Sequence, residues 1–276
     1  YRALADMGQA IERVLHGLDS QTIAACDEGE LAILSSEIRK MTVRLRQAAD
    51  SQHRERMQLA DAMADISHQL RTPLTAINLT LSMLGREGLP EQERRALLQE
   101  LRRLVTRMEW LVETLLKMSR IDAGAVSFRE ESCRAADIIR RAVQPLAVPM
   151  ELRGITLETA AGEECFTGDA AWSAEALGNV LKNCMEHAAS YIRVSARETA
   201  LFTEITVQDD GPGFRAEDLP RLFERFYRGK DAAPASVGIG LALARMVLSA
   251  QNGTIRADNA CPGGALFTLR WYRSTV

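Results

Sequence analysis

The sequence lacks several features that would assign it at once to a class of protein. Aromatic residues make up only 5% of its 276 residues, and no apolar run approaches the length of a membrane-spanning helix. Acidic and basic residues nearly balance, with a net charge of −3, so the composition gives no general attraction for nucleic acid or an anionic membrane. We therefore expect no direct binding of nucleic acid.

The cysteines form no pattern that would hold a metal or build a disulfide framework. There are five, they are dispersed, and none belongs to a C-x-x-C pair. An odd, dispersed set is typical of reduced thiols in a cytosolic setting and argues against a zinc site. No signal peptide is visible, and the chain starts at Tyr1 rather than at methionine. We expect it to be a fragment of a longer protein.

Helical periodicity dominates the first half of the chain. Apolar residues recur in steps of three and four in two stripes within residues 1–50, with a connector at 19–29 between them. The order of these elements resembles a HAMP signal-relay module, in which a helix is followed by a connector and by a second helix that begins with acidic residues and a glycine. A plain dimeric coiled coil is the alternative. The stripes are Leu4, Met7, Ile11, Val14 and Leu18, and then Leu31, Leu34, Ile38, Met41 and Leu45.

A histidine lies on the outer face of the next helical pattern. At about 100° per residue, His68 points almost directly away from the apolar stripe of its helix. Pro73 has no N–H, so the carbonyl of Gln69 loses its helical partner and a kink is expected there. This stretch alone is equally compatible with a reactive histidine and with an ordinary surface histidine. The stripe is Leu59, Met63, Ile66, Leu70, Leu74, Ile77, Leu81 and Leu84.

A glycine- and proline-containing break at 85–90 separates this helix from a second one, which ends near Gly124. Residues 51–124 are thus predicted to form a helical hairpin. One hairpin exposes its apolar seam to water, whereas two copies bury it in a four-helix bundle. A homodimer through the 51–124 hairpins is therefore expected.

After Gly124 the periodicity changes to short β-type runs alternating with helices. This pattern predicts an α+β layer fold over residues 125–276, with a mixed sheet covered by helices on one face. The chain is thus expected to be multidomain, an all-α coiled coil and four-helix dimerisation bundle followed by an α+β sandwich. The predicted strands are 126–130, 155–159, 191–197, 201–208, 254–257 and 265–271, and the predicted helices are 135–148, 171–188 and 239–251.

Polar residues with ligand-binding spacing lie in this second half. Asn179, Asn183 and Glu186 share one helical face, where amide and carboxylate oxygens suit a hydrated Mg²⁺ and phosphate. A solvent-facing polar stripe is the alternative. Asp209 ends a predicted strand just before two glycines, which allow close approach of backbone or ligand. An ordinary turn explains that pattern equally well.

Two further glycines, Gly238 and Gly240, open a predicted helix. The N–H groups at a helix N-terminus can bind phosphate oxygens. An arginine- and aromatic-rich run at 222–228 and a loop at 229–237 precede them. The sequence has no G-x-x-x-x-G-K-[ST] motif, so a P-loop site is excluded.

The order of these motifs resembles the sensor histidine kinases of two-component signalling. The stretch His68-Gln-Leu-Arg-Thr-Pro looks like the phosphoacceptor box of that family, and 179–187 looks like its asparagine box. The segments 209–213, 223–227 and 238–241 look like its nucleotide-binding boxes. The resemblance covers residues 51–276, and its second half looks like the Bergerat-type ATP fold shared with Hsp90, MutL and gyrase.

The resemblance implies roles for individual residues. His68 would take the γ-phosphoryl group of ATP as nucleophile, and Thr72 would help a water remove phosphate from the partner. Asn183 would bind Mg²⁺, Asn179 would support the phosphates, and Asp209 would read the adenine amino group. Residues 214–237 would form a mobile lid over ATP. The other implied nucleotide-binding residues are His187, Gly211, Gly213, Phe226, Arg228, Gly238, Gly240 and Leu241.

The resemblance also implies partners and a location. The phosphoryl group would pass to an aspartate on the receiver domain of a response regulator. The chain would be the cytoplasmic portion of a plasma-membrane sensor protein, whose upstream transmembrane sensor segment is missing from this chain.

Three positions depart from the family pattern. Gln69 replaces a glutamate that could accept a proton from the imidazole, whereas an amide can only orient it. Glu186 replaces a lysine, and its carboxylate repels phosphate unless Mg²⁺ or a nearby Arg or Lys screens it. We expect Glu186 to act with the metal or a proton, so it joins His68, Gln69 and Thr72 as a candidate catalytic residue. Ser236 replaces the first glycine of the lid-closing motif.

Two alternatives to an active kinase remain. A catalytically weak or inactive kinase-like dimeric scaffold that controls a response regulator would explain Gln69 and Glu186, but not the intact His68, Asn183 and Asp209. A Bergerat ATPase of chaperone or DNA-repair type would leave the 51–124 hairpin unexplained.

Gln69→Glu is expected to speed phosphorylation of His68, because glutamate can accept the imidazole proton and glutamine cannot. The rate of label transfer from ATP, compared with that of the unchanged protein, measures this effect. An unchanged rate would place the base elsewhere, and Glu186 would be the next residue to test.

Overall fold

The computed structural model describes residues 29–86, 88–229, 236–261 and 263–273. The chain divides into two compact units, Tyr1–Ser67 and His68–Val276. The first predicted stripe and most of the connector of the HAMP-like module lie outside the described residues, as do positions 230–235 of the predicted lid. The predicted domain boundaries at 50 and 124 stay predictions.

Two long helices form the first part of the described chain. Helix α1, Gly29–Leu84, continues through Pro73, whose side chain is buried. Helix α2, Glu91–Asp122, follows the predicted break. Gly124 adopts a φ of 62°, the left-handed conformation expected just beyond a helix end. Within the described residues, no helix combines the length and apolar character needed to cross a membrane.

Both helices leave apolar side chains in contact with solvent. On α1, Met63 is 57% exposed, and Leu74 and Leu81 are each 49% exposed. A second exposed row runs along α2 at spacings of seven, seven and four residues. We define this row as the α2 seam; it consists of Leu98, Val105, Val112 and Leu116. The exposed residues of α1 belong to the apolar stripe predicted for that helix, whereas Leu104, Leu111 and Met118 on α2 are buried.

A five-stranded sheet lies at the centre of the second half, with strand order β2-β4-β5-β7-β6. Strands β2 and β4 are parallel, and the other neighbours are antiparallel. A separate antiparallel pair joins β1 to β3. The strands are β1 Glu131–Arg134, β2 Thr156–Ala160, β3 Cys165–Gly168, β4 Tyr191–Glu198, β5 Phe202–Asp209, β6 Gly253–Asn259 and β7 Ala265–Tyr272.

Helices cover one face of this sheet. Along β7 every second side chain is buried, namely Ala265, Phe267, Leu269 and Trp271, as the two-residue period of a half-covered strand requires. The covering helices are α3 Ala135–Val143, α5 Ala170–His187 and α6 Gly240–Ala250. The predicted fold class, a helical region followed by an α+β domain, is confirmed.

Local details differ from the sequence-based prediction at two places. The strand predicted at 126–130 does not form, and strand β1 forms just after it, paired with β3, which the sequence pattern had not indicated. The helix predicted at 135–148 is interrupted by a 3₁₀ turn, Gln144–Leu146, before a short helix α4, Ala147–Leu152. Pro145 lies in that turn, where it cannot donate the hydrogen bond that would continue α3.

A carboxylate joins the end of α5 to the central sheet. The side chain of Asp210 accepts backbone hydrogen bonds from Ala189, Ser190 and Tyr191 at 2.9–3.0 Å, and one from the Ser190 hydroxyl at 2.7 Å. Burial by itself would raise the pKa of this carboxyl, but those hydrogen bonds lower it from its ordinary 3.8 to about 2. The charged form is therefore favoured in the folded state.

Asp210→Asn is expected to destabilise the fold by about 1–2 kcal/mol at pH 7, because neutral hydrogen bonds replace charge-assisted ones at a partly solvated site. Since the folded-state pKa is depressed, the stabilisation is complete above about pH 4 and is lost as the pH falls through about 2. Urea unfolding at pH 7 and pH 3 measures the difference. Asp258→Asn, at an exposed position of β6, is the matched control, and an equal Asp210→Asn effect at both pH values would contradict the prediction.

Candidate functional site

A cavity of about 340 Å³ opens beside α5 and the start of α6. Its volume lies in the range of small-molecule sites. Most of the nucleotide-binding residues predicted from the sequence line it, although they come from four separate segments of the chain. The predicted residues in its wall are Asn179, Asn183, Glu186, His187, Asp209, Gly213, Arg228, Gly238, Gly240 and Leu241.

Two predicted residues lie just behind this wall. The backbone N–H of Gly211 donates to Asp209 Oδ1, and a Cβ at that position would lie 2.4 Å from the carbonyl oxygen of His187. Phe226 adopts a φ of 62°, and its N–H donates to the carbonyl of Gly238 at 2.8 Å. Both residues shape the wall through the backbone.

The predicted phosphoacceptor residues lie apart from the cavity wall. His68 and Thr72 are exposed on α1, and Gln69 is half-buried. The hydroxyl of Thr72 donates to the carbonyl of His68 at 3.2 Å, a bond within one helical turn. None of the three is among the described residues that line the cavity.

Asp209 presents a buried carboxylate to the cavity. Its Oδ1 accepts the backbone N–H of Gly211 at 2.9 Å and that of Ala265 at 3.0 Å. Its Oδ2 is buried and has no hydrogen-bond partner within the described part of the chain. A buried acceptor without a partner costs free energy, so a ligand with a donor group would relieve that cost. The same carboxylate contributes, after burial, to raising the pKa of the Cys184 thiol.

Helix α5, which carries both asparagines, is capped at its N-terminus, and the Asn179 side chain is bonded to the helix backbone. Asp169 caps its N-terminus, and its Oδ1 accepts hydrogen bonds from the N–H groups of Ala171 and Trp172. The Asn179 amide donates to the Glu175 carbonyl at 3.0 Å. A Cβ on Gly240 would lie 2.9 Å from Asn179 Oδ1, so glycine at 240 lets α6 approach α5 closely.

Positive φ angles shape the loops around the cavity. Gly238 has a φ of 76°, and a Cβ there would lie 2.3 Å from the Tyr227 carbonyl oxygen. Gly213 has a φ of 72°, and a Cβ there would lie 2.6 Å from Asn259 Oδ1. Both positions therefore require glycine on conformational and steric grounds.

Several wall residues were not singled out from the sequence. Tyr227 donates its hydroxyl to Asp218 at 2.6 Å, which raises the pKa of the tyrosine, and the Arg221 guanidinium lies 4.3 Å from its ring centre. The interleaved aromatics and arginines of 222–228 were the available signal for Tyr227. No sequence signal pointed to Trp110, because it lies on α2, outside the segments with nucleotide-binding motifs. The remaining wall residues without an individual prediction are Lys182, Pro212, Phe214, Arg215, Leu222, Gly229, Val237 and Ala265, while Ser236 of the lid-closing motif also lines the wall.

Cations surround Glu186 in the cavity wall. Lys182 and Arg228 line the same cavity. The Arg107 guanidinium on α2 has a lowered pKa because of burial and of repulsion by Arg103 and Arg228, while the negative charge of Glu186 acts in the opposite direction. The site therefore offers positive charge for an anionic ligand despite the carboxylate.

The described residues contain no group of three or more His, Cys, Asp or Glu side chains that could hold a metal ion by themselves. Asn183 offers an amide oxygen in the cavity wall. Such a wall fits a hard cation that keeps several waters and shares the phosphate oxygens of a ligand, as Mg²⁺ commonly does. The metal position at Asn183 stays a prediction, which an amide oxygen at this place allows.

Comparison with known families defines the class of this cavity and of the hairpin. Residues 168–275 match the family described as histidine kinase-, DNA gyrase B- and HSP90-like ATPase. Residues 58–124 match the His kinase A (phospho-acceptor) domain. A phosphoacceptor segment is thus followed by an ATP-binding domain, and the use of ATP is supported.

Curated relatives align with nearly the whole of this chain. The chain is 31% identical over 274 residues to the signal transduction histidine-protein kinase/phosphatase MprB of Mycolicibacterium vanbaalenii, covering 95% of this chain and 54% of the relative. It is 32% identical over 282 residues to the signal transduction histidine-protein kinase AfsQ2 of Streptomyces coelicolor, covering 96% and 51%. The chain belongs to the sensor histidine kinases of two-component signalling, and it spans about half the length of these relatives.

A solved structure has the same fold. The Acinetobacter baumannii histidine kinase AdeS superposes with a TM-score of 0.62 at 20% identity, covering 75% of this chain and 98% of that one. At this identity the likeness concerns the fold alone, and it agrees with a helical segment followed by an α/β domain.

Asp209→Ala is expected to destabilise the fold by about 1–3 kcal/mol, because it leaves the buried N–H groups of Gly211 and Ala265 without an acceptor. Asp209→Asn keeps an oxygen at the Oδ1 position and is expected to cost less than about 1 kcal/mol. Urea unfolding of both variants measures the difference. Equal losses would contradict the assignment of Oδ1 to the two backbone bonds.

Proposed function

We propose that this chain is the kinase portion of a two-component sensor. It transfers the γ-phosphoryl group of ATP to His68 and then passes that group to an aspartate on a response regulator receiver domain. It also removes phosphate from that regulator. The observation that carries the proposal is the unpartnered Oδ2 of Asp209, buried in a cavity whose wall also carries lysine, arginine and asparagine side chains.

The cavity suits the two ends of ATP differently. Asp209 Oδ2 can accept a hydrogen bond from the exocyclic amine of adenine, since Oδ1 is already occupied by two backbone N–H groups. The N–H groups at the start of α6, after Gly238 and Gly240, can donate to phosphate oxygens. Asn179, His187, Leu241 and Arg228 complete the wall that would hold the nucleotide.

Asn183 would supply a protein oxygen to Mg²⁺, which would neutralise charge on the phosphates. Asn179 lies one turn before it on α5, with its amide nitrogen bonded to the Glu175 carbonyl. Glu186, one turn after, would act through the metal or a proton. The residues of α5 thus orient the phosphate chain.

Phosphoryl transfer to His68 depends mainly on position and charge neutralisation. A neutral ring nitrogen attacks the γ-phosphorus, the bond from that phosphorus to the β–γ bridging oxygen breaks, and ADP leaves. The proton displaced from the ring passes to solvent or another base, because Gln69 can only orient the imidazole. Thr72 lies one turn away and would position water for dephosphorylation of the regulator once its hydroxyl leaves the His68 carbonyl.

Partners and location follow from the same proposal. Two copies would pair through their hairpins, because pairing would remove the exposed α2 seam from water. The relatives MprB and AfsQ2 are named as signal transduction proteins, and this chain covers about half of them. We infer that a transmembrane sensor segment precedes this portion and that the portion itself lies on the cytoplasmic side of the plasma membrane.

A second candidate function is a catalytically weak or inactive kinase-like scaffold that controls a response regulator. Gln69 and Glu186 favour it, because neither side chain performs the task of the residue it replaces in the family pattern. The scaffold would bind ATP without phosphorylating His68.

Incubation with Mg²⁺ and γ-labelled ATP is expected to give acid-labile, base-stable label, which is lost in His68→Gln. His53→Gln is the matched control, since His53 is also exposed on α1 and is expected to leave the label unchanged. Nucleotide binding without label would favour the scaffold. Label that persists in His68→Gln would contradict the assignment of the phosphoacceptor.

A further inference from the structure

One lysine of the cavity wall has an aromatic partner from the hairpin. The ammonium of Lys182 on α5 lies 4.4 Å from the ring centre of Trp110 on α2, and both side chains line the cavity. This distance is typical of a cation–π interaction. The wall of the candidate ATP site is therefore built in part by the helix that follows the phosphoacceptor helix.

Lys182 is well placed to meet the phosphates of a ligand. It precedes Asn183 by one residue and Glu186 by four, so it lies within about 40° of Glu186 on the same side of α5. Lysine is scarce in this chain, with only four positions, 40, 117, 182 and 230, against 34 basic residues in total. A flexible stem with a compact ammonium can move between two partners within reach.

Several residues on the same side of α2 as Trp110 interact with the α+β domain. Lys117 Nζ lies 2.5 Å from Glu175 on α5, and the carboxylate of Asp122 accepts two bonds from Arg225 at 2.7–2.8 Å. Arg107, one turn before Trp110, interacts electrostatically with Glu186. We define these four residues of α2, at 107, 110, 117 and 122, as the docking face. Trp110 therefore lies among residues of α2 that interact with the α+β domain.

We propose that Lys182 is a phosphate-binding residue of the cavity and that Trp110 is the alternative partner of its ammonium. The phosphate chain of a nucleotide and the docking face then compete for one positive charge. A charge-assisted hydrogen bond to phosphate is stronger than a partly exposed cation–π contact, so the phosphate prevails and the contact between α2 and α5 weakens. The inference rests on the proposed function, in that the ligand is ATP.

Titration calorimetry of the whole chain with Mg²⁺-ATP and with adenosine tests the role of Lys182. Lys182→Met is expected to weaken ATP binding about tenfold and to leave adenosine binding unchanged, because only ATP carries phosphates. Lys182→Arg is expected to restore most of the ATP affinity. Arg256→Met, which removes one exposed positive charge of β6 outside the cavity wall, is the matched control.

The competition is tested by a double-mutant cycle with Trp110. Trp110→Leu is expected to strengthen ATP binding about threefold, because the ammonium loses its other partner. In the Lys182→Met background the same change is expected to have no effect, since the charge for which the two partners compete is gone. Trp110→Phe keeps a ring face and is expected to stay close to the unchanged protein.

Three results would overturn the proposal. An unchanged ATP affinity in Lys182→Met would show that the Lys182 ammonium does not bind the phosphates. Equal weakening of adenosine and ATP would indicate a purely structural role. Weaker ATP binding in Trp110→Leu would make Trp110 part of the ligand site rather than a competitor. If the unchanged protein binds neither adenosine nor ATP, the proposed function itself fails, and this outcome is separate from the other three.

Discussion

The carboxylate of Asp209 is buried at the end of the central strand, and a buried charge is costly unless hydrogen bonds compensate it. One oxygen meets this requirement through the backbone N–H groups of Gly211 and Ala265, and it thereby ties the loop after β5 to the start of β7. The backbone segments at 209 and 264 must approach each other closely to form these bonds, since a Cβ on Gly264 would lie 1.8 Å from the carbonyl oxygen of Asp209. The second oxygen is buried and has no hydrogen-bond partner among the described residues. The geometry of the ligand cavity thus depends on how one charge is buried.

Local chemistry explains why much of the site could be predicted from the sequence. Asn179, Asn183 and Glu186 lie on one helix, so their spacing alone places them together. Gly213 and Gly238 mark positive φ angles, which few other residues tolerate. In such segments the information is contained within a few neighbouring residues, and the structure brings these segments to the same cavity.

The features that could not be predicted depend on contacts between distant segments. Trp110 reaches the cavity because α2 packs against α6 and its side chains reach α5, and nothing in the residues around Trp110 indicates that packing. Strand β3 has four residues and one buried apolar side chain, Phe166, which is too short a pattern to distinguish from a loop. The apolar pattern continues beyond Pro145 and therefore predicts a longer helix than α3, which ends at Val143.

The charges around α5 show how the carboxylate of Glu186 can be compatible with an anionic ligand in the cavity. A carboxylate in the cavity wall disfavours an anionic ligand by itself, yet Arg107, Lys182 and Arg228 bring positive charge near it. Two of these three cations belong to the α+β domain, and the third belongs to α2. The balance of charge in the cavity is therefore shared between two parts of the chain, so a change in either part alters the field at the ligand.

Helix α2 carries two different surfaces on roughly opposite sides. The docking face contacts α5 and the loop around Arg225, whereas the α2 seam, represented by Val105 and Val112, faces solvent. At about 100° per residue, Val112 and Trp110 point about 160° apart. A rigid helix cannot turn one surface without turning the other. Any axial twist of α2 would therefore change the contacts of the helix with the ATP-binding domain and, in the same movement, the direction in which its exposed seam faces.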